Sequence, residues 1–477
     1  MPQKPIIPNV LAQRYASETI CGIWSEEGRI KLEREFWVAV LKAQSELGLP
    51  VSNTSIEAYT QAINKIDLSS IAQRESSLRH DVKARIEEFC ALAGHEDIHK
   101  GLTSRDLTDN VEQFQIYRSL KAVQLKYIQC MRKLSERSSQ WKDLVVVGRT
   151  HYAAAQPTTL GKRLSMFGEE MLIAHDSLDH LINNYPLRGL KGAVGTSLDQ
   201  LTLLENDTDK LHLLQAKISS YLGFSNEIDS VGQVYPRSLD YAVASTLFQL
   251  GSGLANLAKN IRLMAGNELL TEGFAQGQVG SSAMPHKMNT RSTERINGLH
   301  NILGGYVHML GSLTGDQWFE GDVSCSVVRR VSIPDSFFAF DGMLETALHV
   351  LDEMGIYPAI IDRDLRRYMP FLASTTILME SVQRGAGREA AHEAIKEHAI
   401  SAALTLRDTG AAENDLPQRL GDDERIPLTA SEINGVLEEA RTLTGESDSQ
   451  VESFLRRVNQ LSQRFPESRH ITKSSLI

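Results

Sequence analysis

The densest chemistry in the chain lies in TEGFAQGQVGSSAMPHKMNTRSTERIN, residues 271–297. Gly273, Gly277 and Gly280 lead into two hydroxyls, Ser281 and Ser282; Pro285, His286, Lys287 and Asn289 follow, and Glu294 opens the next helical pattern. Backbone N–H groups of such a loop, with a lysine and an amide, can hold the oxygens of a carboxylate. The glycines also allow it to open and close over a ligand. A plain connecting loop with a solvated lysine is the competing reading, although long loops between long helices are uncommon. His151 in GRTHYAAAQPTT (148–159) is placed at a helix entry, where it can serve as a general acid or as a capping or core histidine. His80, next to Asp81, and His99 raise the same question. His95 and His99 spell H-E-D-I-H, the spacing of a zinc-protease helix. No third ligand is evident and a Gly-Leu-Thr-Ser turn follows at once, so no metal is expected.

Thr103-Ser104 is a helix N-cap pair ahead of Asp106 and Asn110. Arg14-Tyr15, and Arg329-Arg330 near a proline turn at Ile333-Pro334-Asp335, are phosphate-binding candidates that as isolated charges would be surface residues. No phosphate-binding Walker loop, dinucleotide fingerprint or GxSxG elbow occurs.

These groups need elements to position them. Ile116, Leu120, Val123, Tyr127, Cys130 and Leu134 step by three and four. The same steps run from Leu164 to Leu181, from Leu247 to Met264, from Ile296 to Leu313 and from Phe340 to Met354. Each run gives an apolar stripe on a helix at a spacing that lets helices pack nearly parallel, so five stripes predict one long bundle. Extra apolar flanks such as Leu172, Ile173 and Phe248 suggest burial on more than one side, as in a bundle shared between subunits. β-Branched alternation is scarce, and VVVG (145–148) is too short to found a sheet. The chain is read as all-α, with an N-terminal helical unit over 1–111, a central long-helix unit over 112–362 carrying a mobile loop at 271–295, and a C-terminal helical unit over 363–477. Pro358, Pro370, Pro417 and Pro427 punctuate this last unit, which breaks at GDDERIP (421–427).

The 477 residues suggest about three structural units. Hydrophobic residues make up 42% and charged residues 23%, which excludes a largely disordered chain. A formal charge of −10 without a basic block disfavours nucleic acid but leaves room for a basic pocket that takes a small anion. No run is long and apolar enough to span a membrane. Cys21, Cys90, Cys130 and Cys325 are scattered, as free thiols in a reducing compartment would be, and no secretory signal is read, so the cytoplasm is expected.

SSAMPHKMN (281–289) resembles the SSxMPxKxN loop of the fumarase/aspartase superfamily. HKGLTSRD and GRTHYAAAQPTT resemble that superfamily's two other shared regions. His286, Arg14-Tyr15, Arg79-His80-Asp81, and Gln233 with Arg237 in GQVYPRSLD resemble its adenylosuccinate lyase family, over nearly the whole chain. The resemblance implies a three-domain all-α subunit whose five-helix bundle joins three others in a twenty-helix homotetramer core, with each active site shared between subunits. It implies elimination of fumarate from succinylated purine nucleotides, with no metal and no organic cofactor. It makes Ser281 the base, by the register of the motif over Ser282, and His151 the acid. Lys287 and Asn289 would hold carboxylates, Glu294 would orient a catalytic histidine, and His80 and His99 would contact substrate or tune His151. Arg14, Tyr15, Arg295, Ser326 and Arg330 would bind the nucleotide and its phosphate, with Arg79 and Asp81 among the substrate contacts. Thr103, Ser104 and Gln233 would meet the succinyl part. One position departs: many family members carry an arginine after the glutamate of WFE, where this chain has Gly321, so that cation is missing or comes from elsewhere, Arg329 being one source. Argininosuccinate cleavage is the rival on the same fold, disfavoured by His286 and Arg14-Tyr15. A scaffold without activity is the rival of another class, disfavoured by the intact polar loop.

Overall fold

The computed structural model describes residues 7–273, 284, 286–411 and 413–471. Short helices open the chain: α1 (Val10–Arg14), α2 (Glu18–Trp24), α3 (Glu26–Glu46), α4 (Asn53–Ala62), α5 (Leu68–Leu78) and α6 (Asp81–Ala93). The long α7 (Ser104–Gln140) leads into a hairpin of β1 (Val145–Thr150) and β2 (Ala153–Thr159), then α8 (Leu160–Asn184). After β3 (Pro186–Leu187), α9 (Leu198–Leu203), α10 (Thr208–Leu222) and β4 (Asn226–Glu227) come α11 (Ser238–Gly266), β5 (Leu270–Thr271), α12 (Arg291–Gly311) and α13 (Cys325–Glu353). β6 (Gly355–Ile356), α14 (Pro358–Leu372), α15 (Ser374–Gln383), α16 (Arg388–Thr409), α17 (Leu416–Gly421), α18 (Ala430–Arg441) and α19 (Ser447–Arg464) follow, with a 3-10 turn at Pro466–His470. The fold is all-α, and among the described residues its strands pair only in twos. Among the described residues no helix is long and apolar enough to cross a membrane.

The five stripes are α7, α8, α11, α12 and α13, and their apolar positions are the core. Leu120, Tyr127, Leu164, Met171, Leu247, Leu250, Phe340 and Leu344 are fully buried in one continuous cluster. A second cluster, from Leu365 to Ala440, gathers α14–α18 against Val147 of β1. Phe454 and Val458 of α19 return to the main cluster.

Two expectations change. The region 148–159 is not a helix entry: β1 and β2 pair antiparallel, Arg149 opposite Ala154 and Thr150 opposite Ala153, and α8 starts only at Leu160. His151 and Tyr152 form the two-residue turn, both at positive φ (53° and 65°), as a tight hairpin with right-handed twist requires. VVVG is therefore half of a hairpin whose partner, AAAQPTT, lacks β-branched alternation. Nor does Ile333-Pro334-Asp335 make a turn. Pro334 lies inside continuous α13, where it costs one helical hydrogen bond, to the Arg330 carbonyl. Burial of Ile333, Phe337, Phe338 and Phe340 around it outweighs that loss.

Helices α7 and α13 run parallel and are tied at three heights. Arg329 Nη1 donates to Glu112 at 2.6 Å. Lys126 Nζ donates to Asp341 and lies 2.5 Å from Glu345 Oε1. Arg137 donates to the Leu351 and Asp352 carbonyls at 2.6 and 2.5 Å. Burial alone would lower the Lys126 pKa, but Asp341 and Glu345 together raise it, so the cation persists in the core. Asp341 also accepts the Ser17 N–H at 2.6 Å, which fastens the N-terminal segment to α13. Lys126→Met would leave two buried carboxylates without a cation and should cost about 3–5 kcal/mol of stability, read by urea unfolding. A loss within 1 kcal/mol would mean that the carboxylates neutralise themselves by taking up protons.

Candidate active site

The segment before α7 is held by one buried carboxylate. Asp106 Oδ2 accepts from the Thr103 N–H and hydroxyl at 2.9 and 3.2 Å. Its Oδ1 accepts from Arg188 at 2.8 Å and from the Lys191 and Gly192 N–H groups at 2.9 Å each. Thr103 is thereby committed to the cap, and Ser104 is turned toward a cavity of about 480 Å³. Ser326, Arg330 and Asp81 line the same cavity, so four expected site residues meet there from α6, α7 and α13. The sequence reading missed Arg29, Arg85 and Arg105 in the same walls. Arg105 stands between the two quoted motif residues Ser104 and Asp106, and Arg85 follows Asp81 by one helical turn; both signals were available.

Most charge in these walls is paired. Arg85 bonds Glu33 at 2.6 Å and Asp81 at 3.2 Å. Burial would raise the buried Asp109 carboxyl, but Arg237, Arg329 and Arg105 outweigh it and hold it low. Arg329 is not a free substitute for a cation at position 321. It is fully buried and bonded to Asp240 at 2.7 Å, to Glu112 and to the Tyr235 hydroxyl. Its role is to join α7, α11 and α13.

His80 and His99 flank this region. His80 caps α6, accepting the Lys83 N–H at 3.2 Å on Nδ1, and Arg79 precedes it at φ 54°. His99 is held by Trp37, whose indole N–H donates to Nδ1 at 3.2 Å. An indole only donates, so the neutral ring carries its proton on Nε2. Burial pushes the His99 pKa down to about 4; the Asp106 charge opposes the shift, and those of His80 and Lys83 add to it. Near neutral pH His99 is thus a neutral hydrogen-bond donor.

The remaining expected residues lie elsewhere. Gly342 gives α13 no side chain where Tyr15 packs: a Cβ there would come within 2.7 Å of Tyr15 Cβ. The Arg295 guanidinium of α12 sits 5.3 Å from the centre of the Tyr15 ring, and Arg14 is exposed beside it at the end of α1. Lys287 is exposed and Asn289 half-buried just before α12, and Glu294 Oε1 accepts from Thr290 at 3.5 Å. Glu272 caps the start of α12, accepting the Ser292 and Thr293 N–H groups at 2.8 and 2.9 Å. Gln233 N–H donates to the Glu320 carbonyl at 2.6 Å. Ser281 and Ser282 lie outside the described residues. His151 is exposed at the hairpin tip, and neighbouring Arg149, Thr150 and Tyr152 line a separate groove with α8 and α11. Among the described residues no group of three histidine, cysteine or acidic side chains could hold a metal.

One chain thus gathers the expected residues into separate clusters. Residues 326 and 342 on α13 lie about 24 Å apart along the axis, which separates the Ser326 cavity from the Tyr15–Arg295 pair.

Residues 13–304 match the family described as Lyase, and residues 370–454 match Adenylosuccinate lyase C-terminus. Adenylosuccinate lyase of Saccharomyces cerevisiae is 32% identical over 472 residues, 98% of this chain and 97% of that protein. The enzyme of that name from Schizosaccharomyces pombe is 32% identical over 93% of each chain. The chain belongs to the adenylosuccinate lyase family. It is therefore a lyase. The fold is shared more widely: 3-carboxy-cis,cis-muconate lactonizing enzyme from Pseudomonas putida superposes with a TM-score of 0.80 at 18% identity, covering 95% of this chain and all of that one. A fumarate lyase from Mesorhizobium gives 0.76, also at 18% identity.

The depressed His99 pKa has a signed consequence. Between about 4 and 6.5 the unfolded chain holds a proton on His99 that the folded chain refuses. Stability therefore rises with pH across that window and is lost as pH falls through it. His99→Gln should flatten the slope of unfolding free energy against pH there; an unchanged slope would contradict the buried neutral ring.

Proposed function

We propose that this lyase eliminates fumarate from adenylosuccinate to give AMP. By the same reaction it acts on succinylaminoimidazole carboxamide ribonucleotide, giving aminoimidazole carboxamide ribonucleotide, within purine nucleotide biosynthesis. Both substrates join a succinyl group through nitrogen to a ribose phosphate, so one pocket serves both. The observation that carries the reading is the arginine-walled cavity in which Ser104 and Ser326, more than two hundred residues apart, face one another, in a chain that is similar to adenylosuccinate lyases along its whole length.

Elimination needs a base at the carbon beside one succinyl carboxylate, an acid for the departing nitrogen, and cations for the charge that develops between. Ser281 takes the carbon-bound proton, the electron pair closes the C=C bond of fumarate as the C–N bond breaks, and His151 protonates the nitrogen. Serine is a poor base at its ordinary pKa, so loop N–H groups and Lys287 must stabilise its alkoxide in a water-poor site. Lys287 and Asn289 hold the carboxylates, and Glu294 orients a histidine. His99, neutral with its proton on Nε2, donates a hydrogen bond and leaves the acid role to His151. Arg14, Tyr15, Arg295, Ser326 and Arg330 bind the nucleotide, and Arg79, Asp81, Thr103, Ser104 and Gln233 complete the pocket. The chemistry requires neither metal nor organic cofactor.

The subunit reads as three domains, 1–111, 112–362 and 363–477, and works as a cytoplasmic homotetramer whose active sites each draw on several chains. Its small-molecule partners are nucleotides; its macromolecular partner is itself, not nucleic acid or membrane. Apolar side chains left open on the bundle support the assembly: Ile173 is 61% exposed, and Met166, Leu263 and Ile302 are exposed too. Four free cysteines fit a reducing compartment.

Purified protein should convert adenylosuccinate with stoichiometric fumarate, followed by ultraviolet absorbance, and Ser281→Ala should lose at least a hundredfold in rate. Turnover of argininosuccinate instead would reassign the substrate. Mixed tetramers of His151→Ala and Ser281→Ala subunits should regain activity; verified mixed tetramers that stay inactive would refute shared sites.

A further inference from the structure

We infer that Arg105 supplies a phosphate-binding cation to the site, in place of the substrate cation that position 321 lacks, an assignment that rests on the nucleotide reading above. Gly321 supplies none, and a Cβ there would lie 3.0 Å from Gln233 Cβ, so Gln233 would have to give by a few tenths of an ångström to admit a side chain. Arg105 is placed to replace it. It sits in the first turn of α7, and its Nη2 donates to Ser326 Oγ at 3.1 Å while Nη1 donates to Asp109 Oδ1 at 3.0 Å. Asp109 fixes the near end of the guanidinium and leaves the far end at the hydroxyl expected to meet phosphate. A guanidinium has five N–H donors, and those two bonds leave donors free at the cavity wall.

The balance of charge agrees. Glu33 and Asp81 are satisfied by Arg85, and Glu112 by Arg329. That leaves Arg29 and Arg330 facing the cavity against Glu26, with Arg105 shared between Asp109 and the cavity. Arg29 adds a buried Nε without a hydrogen-bond partner. Of these three arginines, Arg105 is the one bonded to Ser326. A phosphate monoester accepting from Ser326 and Arg330 therefore falls within reach of Arg105, whose planar fork suits a pair of phosphate oxygens.

Arg105→Met and Arg105→Lys test this with two substrates, adenylosuccinate and the succinyladenosine nucleoside that lacks the phosphate. Arg105→Met should raise KM for the nucleotide by about tenfold to a hundredfold, with a markedly smaller loss of kcat/KM for the nucleoside. Arg105→Lys, which keeps the charge and loses the fork, should fall between. Equal losses on both substrates in both variants would make Arg105 a structural partner of Asp109 and overturn the assignment, as would an unchanged KM for the nucleotide. Calorimetry with AMP separates this from the reaction itself. If wild type binds AMP and Arg105→Met binds it more weakly, the assignment stands even where no fumarate is released. Equal AMP affinity in the two proteins overturns it.

Discussion

Asp341 is the group on which the rest of the molecule turns. It is buried, it takes the Lys126 ammonium of α7, and it accepts the Ser17 N–H at 2.6 Å. Leucine stripes alone would allow α7 and α13 to slide, because one apolar turn resembles the next. Charges do not slide. A shift of either helix would strand Lys126, Arg329 and their carboxylates in the core at several kcal/mol per ion, by order of magnitude. The ion pairs set the register, and the apolar stripes supply the stability.

Register is what the site requires. Once α7 and α13 are locked, Ser104 and Arg105 at the start of one face Ser326 and Arg330 at the start of the other. The same lock seats Tyr15 against Gly342 and beneath Arg295. Asp106 does comparable work at the head of α7, where one carboxylate collects the Thr103 cap, Arg188 and two backbone N–H groups. Pro334 leaves the Arg330 carbonyl without its helical donor, so the cavity-lining turn carries an acceptor that the rest of α13 has used.

What the sequence made legible follows from what is local. Five helices were readable because their apolar period is written along each one, and every stripe residue from Ile116 to Leu134 is buried. The hairpin was not, because AAAQPTT carries no alternation of its own and becomes a strand only opposite VVVGRT. The first half of α13 was hidden by Pro334, whose cost is met by distant aromatic packing. In the site, residues inside shared motifs were readable by resemblance. Arg29 was not, since a charged residue on an amphipathic helix is ordinary until the fold shows what it faces. Arg329, read as one source of the cation missing at position 321, was misjudged for the same reason: Asp240, Glu112 and Tyr235 consume it.

Helix length sets a conflict that the proposed assembly resolves. A helix of 29 residues such as α13 extends roughly 43 Å. That length gives a deep core, and it also places groups at its two halves too far apart to touch one small substrate. The Ser326 cavity and the Tyr15–Arg295 pair are separated in this way. Within one chain, neither bending nor side-chain reach closes a gap of about 24 Å. In the proposed tetramer, packing against other copies would set one end of a helix beside the opposite end of its neighbour's, and the two halves of a site would meet across the interface. The exposed Ile173, Met166, Leu263 and Ile302 are then the surface that such packing buries. In that assembly stability and catalysis would draw on the same apolar faces, and disrupting those faces would remove activity before any catalytic side chain is touched.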